Sequence, residues 1–309
     1  MIVTVTLNPS LDERVCLPTL RLGQLNRASC FERYPGGKGI NVSRVVHELR
    51  AQSLAVAIAG GDDGHILSRL LDSHHIPHRF VHVNGSTRNN YQLDCDAPKQ
   101  ITQINTPGPT VSMAALARIR RLLDGLKFKT SCVVLSGSLP PGAPATTYQR
   151  LIRRLARLKI PTVLDTSGEA MKQGLLAKPW LIKPNRQEAE ELLGRRLAGR
   201  RQVIRAAHQL AETHASIVVI SLGGEGAVLA SRDQLFVAQS PKVRVGSTVG
   251  AGDSLVAGFL LAWLKRRSLI EGLRLGIACG AATAMTSGTE LCHREDVRRL
   301  LPRVVIHPL

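Results

Sequence analysis

Aromatic residues make up only 3% of this 309-residue chain. Proteins that grip nucleic acid by stacking bases need Phe, Tyr and Trp in number, so no nucleic-acid partner is expected. Acidic residues are also few, 23 against 41 Lys and Arg, a formal net charge of +18. The six cysteines (Cys16, Cys30, Cys95, Cys132, Cys279, Cys292) contain no CxxC pair and no metal-like spacing with histidine, so buried free thiols are expected. Histidines such as His74, His75 and His78 form no HExxH-type cluster and read as non-ligands. No basic segment followed by a long apolar run opens the chain, and the longest apolar stretch, Leu255 to Leu264, is too short to span a bilayer. A cytoplasmic protein with no membrane partner is therefore expected. Repeats and low-complexity segments are absent as well.

What is present is an ordinary globular composition, 44% hydrophobic and 21% charged, enough to bury a core within one main domain. The basic residues recur three and four apart, as in Arg150, Arg153, Arg154 and Arg157, or Arg196, Arg200, Arg201 and Arg205. That spacing fits solvated helix faces. A nucleic-acid or membrane surface is the alternative reading. Either way, the charge attracts anionic ligands.

Short β-branched runs alternate with helical patterns: strands at 2–7, 54–59, 132–135, 162–165, 180–182 and 217–221, with helices at 39–49, 64–73, 114–126, 146–158, 187–193 and 202–213. Apolar strands joined by helices imply a mostly parallel sheet covered on both faces. Ligands of such sheets bind at the carboxyl ends of the strands. Residues 13–34 and 80–105 instead show shorter alternating strands, with a turn at 96–99. They predict a small β-sheet projecting over a pocket.

The chemistry-bearing residues sit at strand ends. In Thr248-Val249-Gly250-Ala251-Gly252-Asp253-Ser254, two glycines open an apolar helix whose first N–H groups and positive dipole end suit an anion. Asp253 repels a phosphate, but as a base it accepts a hydroxyl proton while the amides stabilise a transferring phosphoryl group. It could equally cap the first helical turn. Gly36-Gly37-Lys38-Gly39-Ile40-Asn41 lacks the Ser or Thr of a nucleotide P-loop; Lys38 and Asn41 suit a small hydroxylated anion, or the segment is only a structural turn. Asn185 and Glu188, after Lys183-Pro184, could orient hydrated Mg²⁺, or Glu188 could serve the helix dipole. Ser221-Leu222-Gly223-Gly224-Glu225-Gly226 closes another strand with a glycine turn.

Taken in order, Thr6-Leu7-Asn8-Pro9 with Asp12, GGKGINV at 36–42, Thr87-Arg88, SGSLPPG at 136–142, DTSGEA at 165–170, KPN at 183–185, SLGGEGA at 221–227 and TVGAGDS at 248–254 resemble the ribokinase-like (PfkB) carbohydrate kinases over nearly the whole chain. The branch is that of 1-phosphofructokinases and tagatose-6-phosphate kinases. The resemblance implies a three-layer α/β/α domain spanning 1–309 with a β-sheet lid that contributes to a homodimer. It implies Asp253 as catalytic base and Gly250, Ala251 and Gly252 as the anion hole. Asp12, Gly37, Lys38, Asn41, Arg88 and Asn90 would contact a sugar phosphate, joined by Arg27 from the lid. Lys183, Asn185, Ser221, Gly223, Gly226 and Gly280 would face ATP, with Glu188 and Asn185 holding Mg²⁺ through water. A monovalent cation is implied beside Ser247 and Val249, although the acidic residue usual in ribokinases is missing at Ser247. Gln92 stands where many 1-phosphofructokinases have lysine, and Ile104-Asn105-Thr106-Pro107 lacks their acidic residue. The expected reaction is phosphorylation of a ketohexose phosphate, fructose 1-phosphate foremost. A 6-phosphofructokinase, a tagatose-6-phosphate kinase, or a basic nucleic-acid-binding or regulatory protein are the alternatives.

Overall fold

Five consecutive buried residues, Ile2–Thr6, form the strand β1 around which the sheet grows on both sides. The computed structural model describes residues 1–97, 99–266 and 268–309. Parallel to β1 run β4 (Ser53–Ala59) and β5 (His78–His82) on one side. On the other run β8 (Cys132–Ser136), β9 (Thr162–Asp165), β10 (Leu181–Ile182) and β11 (Ile217–Ser221). Beyond β11 the sheet turns antiparallel through β12 (Ala227–Ser231), β13 (Leu235–Gln239) and β14 (Val305–Pro308).

Strand side chains alternate between two faces, and each face has its own core. One buries Val3, Val56, Val133 and Leu164 against α3 (Met113–Gly125), α4 (Thr147–Arg157), α5 (Gly168–Leu175) and α7 (Arg200–Thr213). The other buries Ile2, Val134, Val163 and Val219 against α1 (Lys38–Glu48), α8 (Ala251–Arg266), α9 (Leu269–Met285) and α10 (Arg294–Leu300). The α2 helix (Gly61–Ser73) packs beside α1 through Leu67 and Leu71. This is the three-layer α/β/α arrangement expected. Among the described residues no helix is long and apolar enough to cross a membrane.

A separate four-stranded sheet stands over the carboxyl ends, in the order β3 (Cys30–Gly36), β2 (Ser10–Leu17), β6 (Arg88–Asp96) and β7 (Lys99–Asn105). Its extent corrects the expected one: His78–His82 pairs with β4 in the main sheet, and β2 begins at Ser10. Alternation marks a strand but not which sheet it joins. Of the turn expected at 96–99, Pro98 lies outside the described residues. The cysteine expectation is also corrected. Antiparallel pairing sets Cys16 opposite Cys30, with Cα atoms 5.0 Å apart, and the two form a disulfide. Their register creates the contact; their spacing in sequence carries no sign of it. Cys95, Cys132, Cys279 and Cys292 carry buried thiols, as expected.

The α8 and α9 helices approach closely because glycine lines their seam. A Cβ on Gly276 would lie 2.7 Å from the Leu255 carbonyl oxygen, closer than atoms pack without displacement. This seam fixes where the amino end of α8 points.

Candidate active site

Seventeen of the eighteen residues assigned from the sequence to catalysis, sugar phosphate, nucleotide or Mg²⁺ line one cavity of about 860 Å³ at the carboxyl edge of the main sheet. The exception is Arg27. It is exposed in the loop between β2 and β3 and does not line the cavity of its own chain.

Asp253 lies in the first turn of α8 and is 5% exposed. Asn41, from α1, donates its amide to Asp253 Oδ2 at 2.9 Å. Burial pushes the Asp253 carboxyl up to about 6, against the pull of Lys38, while the negative charge of Asp165 adds to the rise. A carboxylate with that value is half ionised in mildly acidic water and can take a proton near neutrality. Among the described residues the Asp253 carboxylate accepts from the Asn41 amide rather than from a helix amide.

Gly250 precedes α8 with φ 76, in the left-handed region that only glycine adopts freely. Its carbonyl accepts from the Ser254 amide at 2.9 Å and the Ser254 hydroxyl at 3.0 Å. That hydroxyl in turn meets Thr283 Oγ1 of α9 at 2.7 Å. The turn is thus held from behind, and the first-turn amides of α8 have no intrahelical acceptors by geometry. Ala251, Gly252 and Asp253 line the cavity, and the Ala251 amide also donates to the Thr248 carbonyl at 3.3 Å.

Beneath this turn lies a charge cluster in which one member, Asp165, carries no role in the sequence reading. Asp165 ends β9 and is 1% exposed. Lys38 Nζ donates to its Oδ1 at 3.0 Å, and Lys183 Nζ stands 3.7 Å from the same oxygen. Burial opposes ionisation of Asp165, but Lys183 and Lys38 prevail and hold it below the usual carboxylate range. Burial likewise disfavours the Lys38 ammonium, yet Asp165 and then Asp253 raise its pKa. The Lys183 ammonium also lies beneath Gly252, 3.1 Å from where a Cβ there would sit. It therefore points at the anion cradle rather than at the glycine turn of 223–226.

Arg44 is the second residue left unread. Its Nη1 donates to Asn41 Oδ1 at 3.2 Å and to the Pro35 carbonyl at 3.2 Å. With Oδ1 engaged by Arg44, the Asn41 amide nitrogen is the atom left to face Asp253. A signal existed, since Asn41 and Arg44 stand three apart on one face of α1, but it does not name a function.

From the roof, Asp12 is 8% exposed and receives Ser10 Oγ at 2.7 Å and Asn90 Nδ2 at 3.0 Å. Burial raises its pKa. Arg88 also lines the cavity, and its buried Nε has no partner among the described residues. An unpartnered guanidinium N–H in a cleft calls for an acceptor, which a phosphate provides in bidentate form.

On the far side, Asn185 caps α6 (Arg186–Leu193) through a reciprocal pair. Its Oδ1 accepts from the Glu188 amide at 2.8 Å, and Glu188 Oε2 accepts from the Asn185 amide at 2.8 Å. The helix-end reading of Glu188 is thus met. No group of three His, Cys, Asp or Glu side chains converges among the described residues. An oxygen-only set with one carboxylate fits Mg²⁺, which keeps most of its waters. Ser221, Gly223, Gly226 and Gly280 line the same cavity together with the apolar Val243, Leu255, Ile277 and Ala281, a mixture of polar and apolar lining that suits a small-molecule ligand.

The arrangement has counterparts. The family described as pfkB family carbohydrate kinase matches residues 7–296. A 1-phosphofructokinase of Bacillus subtilis is 38% identical over 310 aligned residues, covering 99% of each chain. An ATP-dependent 6-phosphofructokinase isozyme 2 of Mycobacterium tuberculosis is 36% identical, over 96% of this chain and 88% of that one. Among solved structures, phosphofructokinase-2 from Escherichia coli in complex with potassium superposes with a TM-score of 0.92 at 31% identity, covering 98% of both chains.

Proposed function

The chain belongs to the pfkB family of carbohydrate kinases, and on that premise we propose that it phosphorylates fructose 1-phosphate, with Asp253 as the base. The observation that carries this reading is a buried carboxylate, raised to about 6, beside a helix amino end and a Lys38–Asp165–Lys183 cluster within one cavity. MgATP, when bound, supplies the phosphoryl group. Every other part falls to the chain's own residues.

Arg88 and Lys38 bind the phosphate the sugar already carries, and Asp12 and Asn90 accept and donate to its hydroxyls. Asp253 takes the proton of the attacking hydroxyl. The amides of Ala251 and Gly252, with Lys183 below them, stabilise the charge that spreads over the equatorial oxygens. Glu188 and Asn185 would hold Mg²⁺ through its waters, and the ion would supply charge neutralisation at the phosphates. Ser221, Gly223, Gly226 and Gly280 border the nucleotide. Closure of the roof excludes water as a competing acceptor. A monovalent cation near Val249 belongs to the same proposal, supported by the potassium complex of the Escherichia coli relative.

The roof also supports a homodimer. Phe31 and Ile104 are 55% and 48% exposed and lie on the sheet face opposite Asp12 and Asn90. Pairing of two such faces would cover them.

The test is a panel of fructose 1-phosphate, fructose 6-phosphate, tagatose 6-phosphate and free fructose with ADP release as readout. Fructose 1-phosphate is expected to give the highest kcat/KM. The Mycobacterium tuberculosis relative favours fructose 6-phosphate as the second reading. A preference for free fructose would overturn the role given to Arg88.

A further inference from the structure

The edge of the main sheet opposite the cavity has a composition the kinase reaction does not use. Six connections enter β4, β5, β8, β9, β10 and β11 there, namely residues 49–52, 74–77, 126–131, 158–161, 176–180 and 214–216. None contains Asp or Glu, although each carries at least one Lys, Arg or His. Their strands, with β1 among them, are consecutive in the sheet, so the basic connections form a row about 29 Å long at ~4.8 Å per strand. Of the acids in the neighbouring helix ends, Glu48 accepts from the Arg294 amide at 2.8 Å and Asp124 pairs with Arg154 at 2.8 Å, while Asp72 and Glu212 stay exposed beside His78 and His208.

A second observation is independent of charge counting. The non-glycine residues held at positive φ among the described residues are Arg50 (59°), His75 (54°), Lys159 (57°) and Lys178 (50°). All four are basic, and all four lie in this row just past the ends of α1, α2, α4 and α5. Glycine is the usual occupant of that position, as Gly194 at φ 64 shows after α6. A helix dipole favours a cation nearby, but it does not require the strained residue itself to be the cation. Thirdly, the row carries apolar tips. Phe128 is 91% exposed between Lys127 and Lys129, with the Lys127 ammonium 4.7 Å from its ring centre, and Leu176 is 59% exposed two residues from Lys178.

We propose that this edge docks on an anionic lipid bilayer. Lysines and Arg50 would meet the headgroups, while Phe128 and Leu176 enter the boundary between headgroups and acyl chains. Charge alone would suit a nucleic acid too, but projecting apolar tips in a lysine field suit a lipid interface. No spanning helix is needed, and the cavity, about 16 Å away along the strands, stays open to solution.

The test is flotation of the full chain with vesicles of phosphatidylcholine, with and without an equal amount of phosphatidylglycerol, at low and high salt. Wild type is expected to float only with the anionic vesicles and to be released by salt. Phe128→Ser should lower binding several-fold. The Lys159→Gly, Lys178→Gly double variant should lower it about tenfold or more while keeping or raising Tm, since glycine relieves positive φ. ADP release should be unchanged in all variants, which separates this surface from the catalytic proposal. Equal flotation with neutral vesicles, or a glycine variant that floats like wild type, overturns the proposal. So does a short DNA duplex that binds more tightly than the anionic vesicles while Phe128→Ser has no effect.

Discussion

Asn41 reaches across 212 residues of sequence to place its amide nitrogen 2.9 Å from Asp253. Arg44 holds the oxygen of the same amide at 3.2 Å, so the donor end faces the carboxylate. A donor there favours the ionised form of Asp253 and leaves its second oxygen for the acceptor hydroxyl. Two elements far apart in the chain, α1 and α8, thus make one base.

Replacing Asp253 by Asn should lower kcat by orders of magnitude while nucleotide binding persists. The wild-type kcat/KM should fall as pH drops through about 6, where the carboxyl protonates. Stability should move the other way. The folded pKa lies above the unfolded value, so the group stabilises the fold below the unfolded pKa and loses that contribution as pH rises through about 6. The Tm of Asp253→Asn relative to wild type should therefore be higher at pH 8 than at pH 5. A variant with near wild-type turnover removes the base assignment.

Asp165→Asn addresses the cluster beneath the cradle. Asp165 anchors Lys38 at 3.0 Å and Lys183 at 3.7 Å and raises the pKa of Asp253 through its charge. Its loss should cut kcat about ten- to a hundredfold and shift the acid limb of the pH–rate profile to lower pH. A purely structural residue would lower Tm without moving that limb, so a fixed limb refutes the electrostatic role.

The strand-end loops were legible because glycine, lysine and carboxylate chemistry is concentrated within a few neighbouring residues, as in Thr248 to Ser254. Asp165 was visible as a letter in DTSGEA but not as a partner, because Lys38 approaches it from 127 residues away. Arg44 was hidden for a related reason: a basic residue on a helix reads as solvated until Pro35, Asn41 and Thr289 are seen around it. The main sheet followed from its apolar runs, whereas β12 and β13 were unread because a short antiparallel hairpin has no intervening helix, and β14 because its four largely exposed residues after α10 form no apolar run. The Cys16–Cys30 contact needed the register of β2 and β3. Arg27, carried over by resemblance, stays outside its own chain's cavity.

Arg88→Ala should separate the two substrates. The Arg88 Nε is buried without a partner among the described residues, and its side chain lies near Asp12 in the cavity. Loss of a bidentate phosphate contact should raise KM for the sugar phosphate by tenfold or more, leaving KM for ATP within about twofold. Arg88→Lys should recover only part, because an ammonium offers no fork. An equal rise in both KM values would show that Arg88 acts on the fold instead.

Gly276→Ala tests whether the α8–α9 seam sets the site. The added methyl would sit 2.7 Å from the Leu255 carbonyl oxygen and 3.4 Å from Leu255 Cγ and Phe259 Cβ. The first of these is a backbone atom and cannot rotate aside, so α8 must shift along α9. Overpacking of this kind costs about 1–3 kcal/mol, which for a chain of this size lowers Tm by a few degrees. The α8 shift would also carry Gly250, Gly252 and Asp253 with it, because they open that helix. Activity measured well below Tm should therefore fall by tenfold or more, with the loss in kcat and little change in sugar-phosphate KM, since Arg88 and Asp12 hang from the other sheet. Full activity at low temperature with a lowered Tm would confine the seam to stability and leave the cradle positioned by Ser254 and Thr283 alone.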